Sequence, residues 1–353
     1  MPADSLTPFM PESGPALGQL GWFALLLIIA VVLGEFVHLL RLPRLIGYVV
    51  AGMILGPHGS GLMHLSTVAD LRVLVDVALG LMLFELGHWL DLSWLKRNPW
   101  LIATSLLEAA LTFFAVYGAL RLAGVANIYA TGAAAIGMST SPAVIVQITR
   151  ELRSQGQVTE RLRMLTALNC AYAVIAITVW LSWLHMEYRG SPSTAVLHPL
   201  YLIVGSIALG LVVAVFAGVI PRWLRGHPNT ALLLLLGLIL LLIAAARSVG
   251  LTPLLTLLAF GVVTRHWVGW LRVLPGHFAT ISSITAVVLF ALIGASLDFN
   301  LLRGAAVAAI AFMLARIAAK WVASLLTASP SGIKRAKGSL LGLGLAPMSG
   351  LAV

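Results

Sequence analysis

The residues of this chain that could move a proton or hold an ion lie inside long apolar runs. One run is interrupted by Gly137-Met138-Ser139-Thr140-Ser141-Pro142. Proline removes a helical donor and clashes with the preceding turn, so the helix is expected to break here. Ser141 can then act as N-cap and Pro142 as first residue of a new half-helix, whose positive dipole end faces mid-membrane. The plainer reading is a packing kink. Leu345-Ala346-Pro347 offers a second break of the same kind.

Depth selects the polar residues that could meet such a break, at about 1.5 Å of rise per residue. Asn169 and Cys170 fall near mid-depth on one run and Arg316 on another, while Lys320 sits nearer the inner surface, where a lysine can snorkel. A charge at mid-depth costs a few kcal/mol at least, so Arg316 needs a carboxylate or backbone-carbonyl partner. Glu85 and Glu108, at comparable depth on adjacent helices, are the carboxylates expected to supply it. His88, three residues from Glu85 on the same helical face, suits either a proton relay or a local hydrogen bond. Glu35, beside Arg41 at a helix end, reads as an interface charge.

The elements that must position these residues follow from composition. Hydrophobic residues make up 60% of the 353 and charged ones 10%, and mean hydropathy is +1.01, too apolar for one water-soluble core. The apolar residues come in stretches of the length that spans hydrocarbon. Twelve are expected, near 18–40, 44–57, 69–91, 99–122, 127–149, 161–185, 196–220, 229–247, 251–270, 278–297 and 301–325, with an incomplete one from 338. The fold class is thus all-α, a polytopic membrane helix bundle. Alternating the loops puts fifteen of the 22 Lys and Arg on one side and five on the other, which places residues 1–17 and the amino terminus outside. The ten tryptophans fall near predicted helix ends, at headgroup level. The net charge of +10 is scattered over loops, with no basic patch interleaved with aromatics, so nucleic acid is not an expected partner. A single cysteine excludes a disulfide framework. No nucleophile–base pair, metal cluster or cofactor motif points to an enzyme.

The chain also matches itself. Leu45-Ile46 and Gly52 align with Leu254-Leu255 and Gly261. Gly87 through Asp91 aligns with Gly294 through Asp298, and Ser141-Pro142 with Ala346-Pro347. An odd number of crossings separates the copies, so the repeat, about 18–185 and 229–353, is inverted. Inverted repeats with paired interrupted helices belong to secondary transporters, with the site between them near the midplane.

Leu42-Pro43-Arg44-Leu45-Ile46-Gly47-Tyr48 through Gly56-Pro57, Leu83-Phe84-Glu85-Leu86-Gly87 with Leu90-Asp91, Ile293-Gly294 with Leu297-Asp298, and Gly342 through Pro347 together resemble the sodium/proton exchanger superfamily. The likeness is to its Kef-type monovalent cation:proton antiporters and runs over nearly the whole chain. It implies two crossed discontinuous helices in a core that slides against a dimerisation domain. It further implies a homodimer in the lipid bilayer of a plasma membrane, and H⁺ and Na⁺ or K⁺ as partners. Relatives carry Asn-Asp or Asp-Asp in the sixth helix, where this chain reads Asn169-Cys170. A buried thiol is a poor ligand for a hard cation. The position of Arg316 is similar to the basic residue that normally pairs with that acid, so Glu85 or Glu108 is expected to take over. The sequence given ends at Val353, just past the second break, and the resemblance implies a further half-helix and a counterpart of the sixth segment.

Three functions fit these residues: a cation:proton antiporter with a displaced carboxylate, a non-antiporting regulatory or sensor relative, and an anion or organic-solute carrier using Arg316.

Overall fold

A computed structural model describes residues 18–63, 71–189, 192–220, 228–271, 277–298 and 304–348. Among them the regular structure is helical: α1 (Gln19–Leu39), α2 (Arg44–Leu55), α3 (Arg72–Trp89), α4 (Leu92–Arg97), α5 (Pro99–Leu122), α6 (Asn127–Gly137) and α7 (Pro142–Glu151). Then come α8 (Gln157–Arg189), α9 (Pro192–Val219), α10 (Pro228–Ser248), α11 (Pro253–Trp267), α12 (Phe278–Ala295), α13 (Ala306–Ala328) and α14 (Arg335–Gly344). Residues 1–17 and the loops carrying Arg222, Arg225, Arg272 and Arg303 lie outside the described residues.

Among the described residues eight stretches are long and apolar enough to cross a bilayer, the interrupted run Asn127–Glu151 among them. Of the other expected crossings, α2, α11 and α14 have 12, 15 and 10 residues, and α3 carries Arg72, Asp76 and Glu85. Two expectations change in detail. The sixth run extends at both ends into a 33-residue helix, α8. The short α4 appears where a loop was expected, because Asp91 caps it by accepting from the Ser93 and Trp94 amides.

The chain divides into two compact units. The smaller contains α1, α2 and the last turns of α12, residues 290–297. Within it Gly52 lies against the Ala291 backbone and Gly294 against the Val49 backbone, so α2 and the end of α12 cross at glycine-to-backbone distance. Glu35 pairs with Arg44 at 3.1 Å rather than with Arg41.

The larger unit holds the remaining helices. Its main apolar cluster joins α3, α9, α10, α11 and the start of α12 around Phe84, Phe260 and Phe278, with ring centroids 5.3 and 5.7 Å from Phe84. Here α3 and α11 make a close crossing of their own: Gly87 lies against the Leu258 backbone and Gly261 against the Phe84 backbone. The four glycines of the two crossings are the two pairs matched in the sequence, Gly52 with Gly261 and Gly87 with Gly294. A second cluster packs α5 and α6 on α13 through Val116, Leu120, Ala134 and Phe312.

Candidate functional site

The run 127–151 breaks where proline demands it. The α6 helix ends at Gly137 and α7 starts at Pro142, with Ser141 Oγ accepting from the Val144 amide at 3.2 Å as N-cap. The second break follows α14, whose last helical residue is Gly344. The two interruptions touch. The Ser141 amide donates to the Pro347 carbonyl at 3.1 Å, and Thr140 Oγ1 donates to the Leu345 carbonyl at 3.3 Å.

A break orphans the last carbonyls of each half-helix, and these carry the negative end of the helix dipole. Arg316, buried on α13, answers both sets. Its Nε donates to the Gly137 carbonyl at 2.8 Å, Nη2 to Ser139 at 2.5 Å and Pro347 at 3.1 Å, and Nη1 to Ala346. Of the two kinds of partner expected for Arg316, carboxylate or backbone carbonyl, the structure supplies carbonyls, from both breaks. Four of the five N–H donors of a guanidinium are occupied, which also removes the residue that an anion carrier needed.

Lys320 stands one turn further along α13, and the expectation that it snorkels to the surface is corrected: its side chain is 0% exposed. Its ammonium pairs with Glu108 Oε1 and donates to the Met138 carbonyl at 3.1 Å and to Thr140 Oγ1 at 3.2 Å. Glu108, on α5, is likewise 0% exposed. Thr140 is a hub, since Asn169 Nδ2 donates to its hydroxyl at 3.2 Å and the Cys170 thiol to its carbonyl at 3.2 Å. Glu108 Oε2 and Asn169 Oδ1 are buried with no hydrogen-bond partner among the described residues.

The second expected carboxylate belongs elsewhere. Glu85 accepts from the Arg150 guanidinium and from Ser282 Oγ at 2.9 Å, and Arg150 also donates to the Ala279 carbonyl and to Ser283. Glu85 and Glu108 thus serve different cations on different helices. His88 lies against the Phe84 ring, centroids 6.0 Å apart, while Glu85's two oxygens accept from Arg150 and Ser282. Arg150 and Ser282 were not singled out from the sequence: Arg150 reads as one more loop charge because it falls in the last turn of α7.

Of the expected site residues, Thr140, Ser141, Asn169, Cys170, Glu108, Arg316, Lys320 and Pro347 form one continuous contact, with Pro142 opening α7 beside it. Glu85 and His88 lie in a separate cluster. The Lys320 ammonium sits among a carboxylate, a carbonyl and a hydroxyl. These are the oxygen ligands that hard cations take from proteins. An ammonium and a dehydrated monovalent cation could occupy this position in turn.

Comparison with known proteins bears on the family and the fold. The family model of the sodium/hydrogen exchanger transmembrane domain matches residues 24–353. The structure is similar to that of the sodium proton antiporter MjNhaP1 from Methanocaldococcus jannaschii at pH 8, with a TM-score of 0.73 and 17% identity over 93% of this chain and 83% of that one. An electron-microscopy structure of the same antiporter gives a TM-score of 0.68 at 15% identity, covering 93% of both chains. Among curated proteins none matches the sequence.

Proposed function

The chain belongs to the sodium/hydrogen exchanger family, and from that premise we propose that it exchanges a proton for a monovalent cation, Na⁺ or K⁺, at the crossing of its two broken helices. The observation that carries this reading is the sealed Lys320–Glu108 pair against the first break. In the resting arrangement the ammonium neutralises Glu108. A cation entering the same oxygens takes over that role, and Lys320 releases one proton and becomes a neutral amine. One cation bound for one proton lost leaves the charge of the site unchanged, so no uncompensated charge is left in the low-dielectric interior.

The missing sixth-helix acid is thereby accounted for. Cys170 donates to the Thr140 carbonyl and acts as a spacer, while the exchanging carboxylate stands on α5. Arg316 holds the breaks and takes no part in proton exchange, since arginine stays charged in proteins. Alternating access would come from the inverted halves, about 18–185 and 229–353. The glycine crossings α2 with α12 and α3 with α11 support that reading, because matched residues make them. By resemblance and by the distribution of basic residues, the chain is a homodimer in a plasma membrane with its amino terminus outside. The test is proteoliposomes holding an imposed pH gradient: addition of Na⁺ or K⁺ is expected to dissipate it, and no response to either cation would overturn the proposal.

One observation favours a second reading, a regulatory or sensor relative that does not exchange ions. The Asn169–Cys170 step replaces the acid, and the thiol is buried and bonded. Under that reading Glu108→Gln with Lys320→Gln leaves the cellular phenotype intact.

A further inference from the structure

A cavity of about 610 Å³ opens at the turn between α7 and α8, within the range of roughly 300–1,000 Å³ that takes small-molecule ligands. Its wall carries two guanidiniums, Arg153 and Arg163, against one carboxylate, Glu160. Arg163 is stacked on the Trp89 ring, its guanidinium carbon 3.9 Å from the centroid, which fixes the plane of its fork. Nη1 donates to Glu160 Oε1 at 3.2 Å and Nη2 to Thr149 Oγ1 at 3.4 Å, while Nε is buried with no partner among the described residues. The Arg153 side chain is exposed, and its guanidinium has no partner among the described residues. Ser154 Oγ, also in the wall, lies 2.6 Å from Thr159 Oγ1. One of these hydroxyls donates to the other, so one of their two hydrogens is left over.

The two helix ends at this turn are treated differently. The Arg153 amide donates to the Arg150 carbonyl and the Ser154 amide to the Thr149 carbonyl, the paired bonds of a Schellman end, so the end of α7 is answered. The start of α8 is not. The Glu160 amide donates to the Gly156 carbonyl at 3.0 Å, but the amides of Gln157, Val158 and Thr159 ahead of it have no acceptor among the described residues. They form the positive dipole end of a 33-residue helix. The Schellman end also needs a left-handed residue, and that residue is Arg153, at φ 47°. Glycine suits such a backbone better, but it would strip the wall of its uncommitted guanidinium. Glu160 is the wall group that opposes an anion. Its side chain is 55% exposed and its bond to Arg163 spans one helical turn, a kind of surface pair that holds weakly.

We propose that this cavity binds a phosphate group, carried either by a soluble phosphorylated solute or by a phospholipid headgroup. Arg153, Arg163 and the spare hydroxyl serve its oxygens at the amino end of α8, where charge-assisted bonds and the helix dipole act together. A carboxylate, with two oxygens, leaves donors from the two helices and the turn unmatched. By the distribution of basic residues the cavity lies on the inner side. It shares no residue with the Lys320–Glu108 pair, so the inference stands whether or not the chain exchanges cations.

The test is the melting temperature of the full chain in detergent, stripped of bound lipid, with added sodium pyrophosphate and with sodium chloride at matched Na⁺ and ionic strength. Pyrophosphate is expected to raise it beyond chloride. Arg153→Gly relieves the left-handed backbone, so the unliganded variant should melt no lower than wild type, yet its Kd for pyrophosphate should rise about tenfold, the loss of a charged hydrogen bond. Glu160→Gln should lower the Kd about threefold. A second arm sets short-chain phosphatidic acid against phosphatidylcholine of the same chain length. Stabilisation by pyrophosphate assigns the soluble source and stabilisation by phosphatidic acid alone the headgroup; either upholds the site when Arg153→Gly weakens it. No shift beyond the controls with either probe overturns the proposal. So does a shift that Arg153→Gly leaves unchanged, since the phosphate would then bind elsewhere on the chain.

Discussion

Glu85 and Glu108 are both buried carboxylates held by a cation, and they differ in the cation and in what surrounds it. The partner of Glu85 is Arg150, 21% exposed at the end of α7 and tied also to the Ala279 carbonyl and Ser283 of α12. The partner of Glu108 is Lys320, wholly sealed and bonded to the Met138 carbonyl and Thr140 of the break. Arginine is permanently charged and presents a rigid fork, whereas lysine can give up its proton when buried. The first pair is a fixed tie between α3, α7 and α12. The second can change its charge state, and of the two it alone touches the break.

The largest expected effect that would break this contrast comes from Glu108→Gln, which should slow cation:proton exchange in proteoliposomes on the order of 100-fold or more. Removing one partner leaves the other charge buried and unpaired, at about 3–5 kcal/mol, so thermal stability in detergent should fall as well. Glu108→Gln combined with Lys320→Gln is expected to regain the stability and not the transport. Wild-type exchange in that double variant would dismiss the pair as the exchanging unit.

Next in size is Arg316→Ala, which frees the carbonyls of Gly137, Ser139 and Ala346 and leaves Pro347 with the Ser141 amide alone. A buried acceptor left unmade costs about 1–3 kcal/mol, and with three involved the protein should lose its monodisperse peak in size-exclusion chromatography. A well-behaved, transporting Arg316→Ala protein would show that the breaks do not need their clamp.

Cys170→Asp sharpens the comparison from the other side. It adds a carboxylate on the residue that already touches Thr140, whose hydroxyl Lys320 contacts. In a Glu108→Gln background it should return measurable exchange, read as cation-driven pH dissipation. Continued silence there would mean that the position of Glu108 on α5, and not charge alone, is required.

Glu85→Gln should be milder. Arg150 keeps two other acceptors and some solvent, so a stability loss of about 1–2 kcal/mol is expected with exchange retained; abolished exchange would put Glu85 back in the site. Smallest is Asp91→Ala, outside the spanning helices, which removes the α4 cap for about 1 kcal/mol. The Ser93 hydroxyl, helped by the Trp94 and Ser93 amides, holds the Asp91 carboxyl below the usual carboxylate range. A depressed carboxyl contributes stability above its ordinary value and loses it as pH falls through the lowered one. The difference in melting temperature between wild type and Asp91→Ala should therefore be full at neutral pH and vanish in acid.

The spans and both breaks were legible in the sequence because their causes are local. Apolar run length decides what can lie in hydrocarbon, and Pro142 interrupts a helix whatever packs against it. The matched glycines could also be read, since close backbone approach tolerates little else. The pairing of charges could not. Arg316 and Lys320 are four residues apart on one face of α13, and depth counting resolves no better than about one turn, so either could have met Glu108. Tertiary structure decided between them. The breaks orphaned carbonyls, their crossing gathered four within reach of Arg316, and the five-donor guanidinium suits that set. That left the smaller ammonium of Lys320 for Glu108. The tie of Glu85 to Arg150 likewise needed the end of α7 to be brought against α12. Sequence alone determined that charges must be paired inside a membrane bundle with two broken helices, because burial forbids anything else. Which charge met which was a matter of distances between helices far apart in the chain.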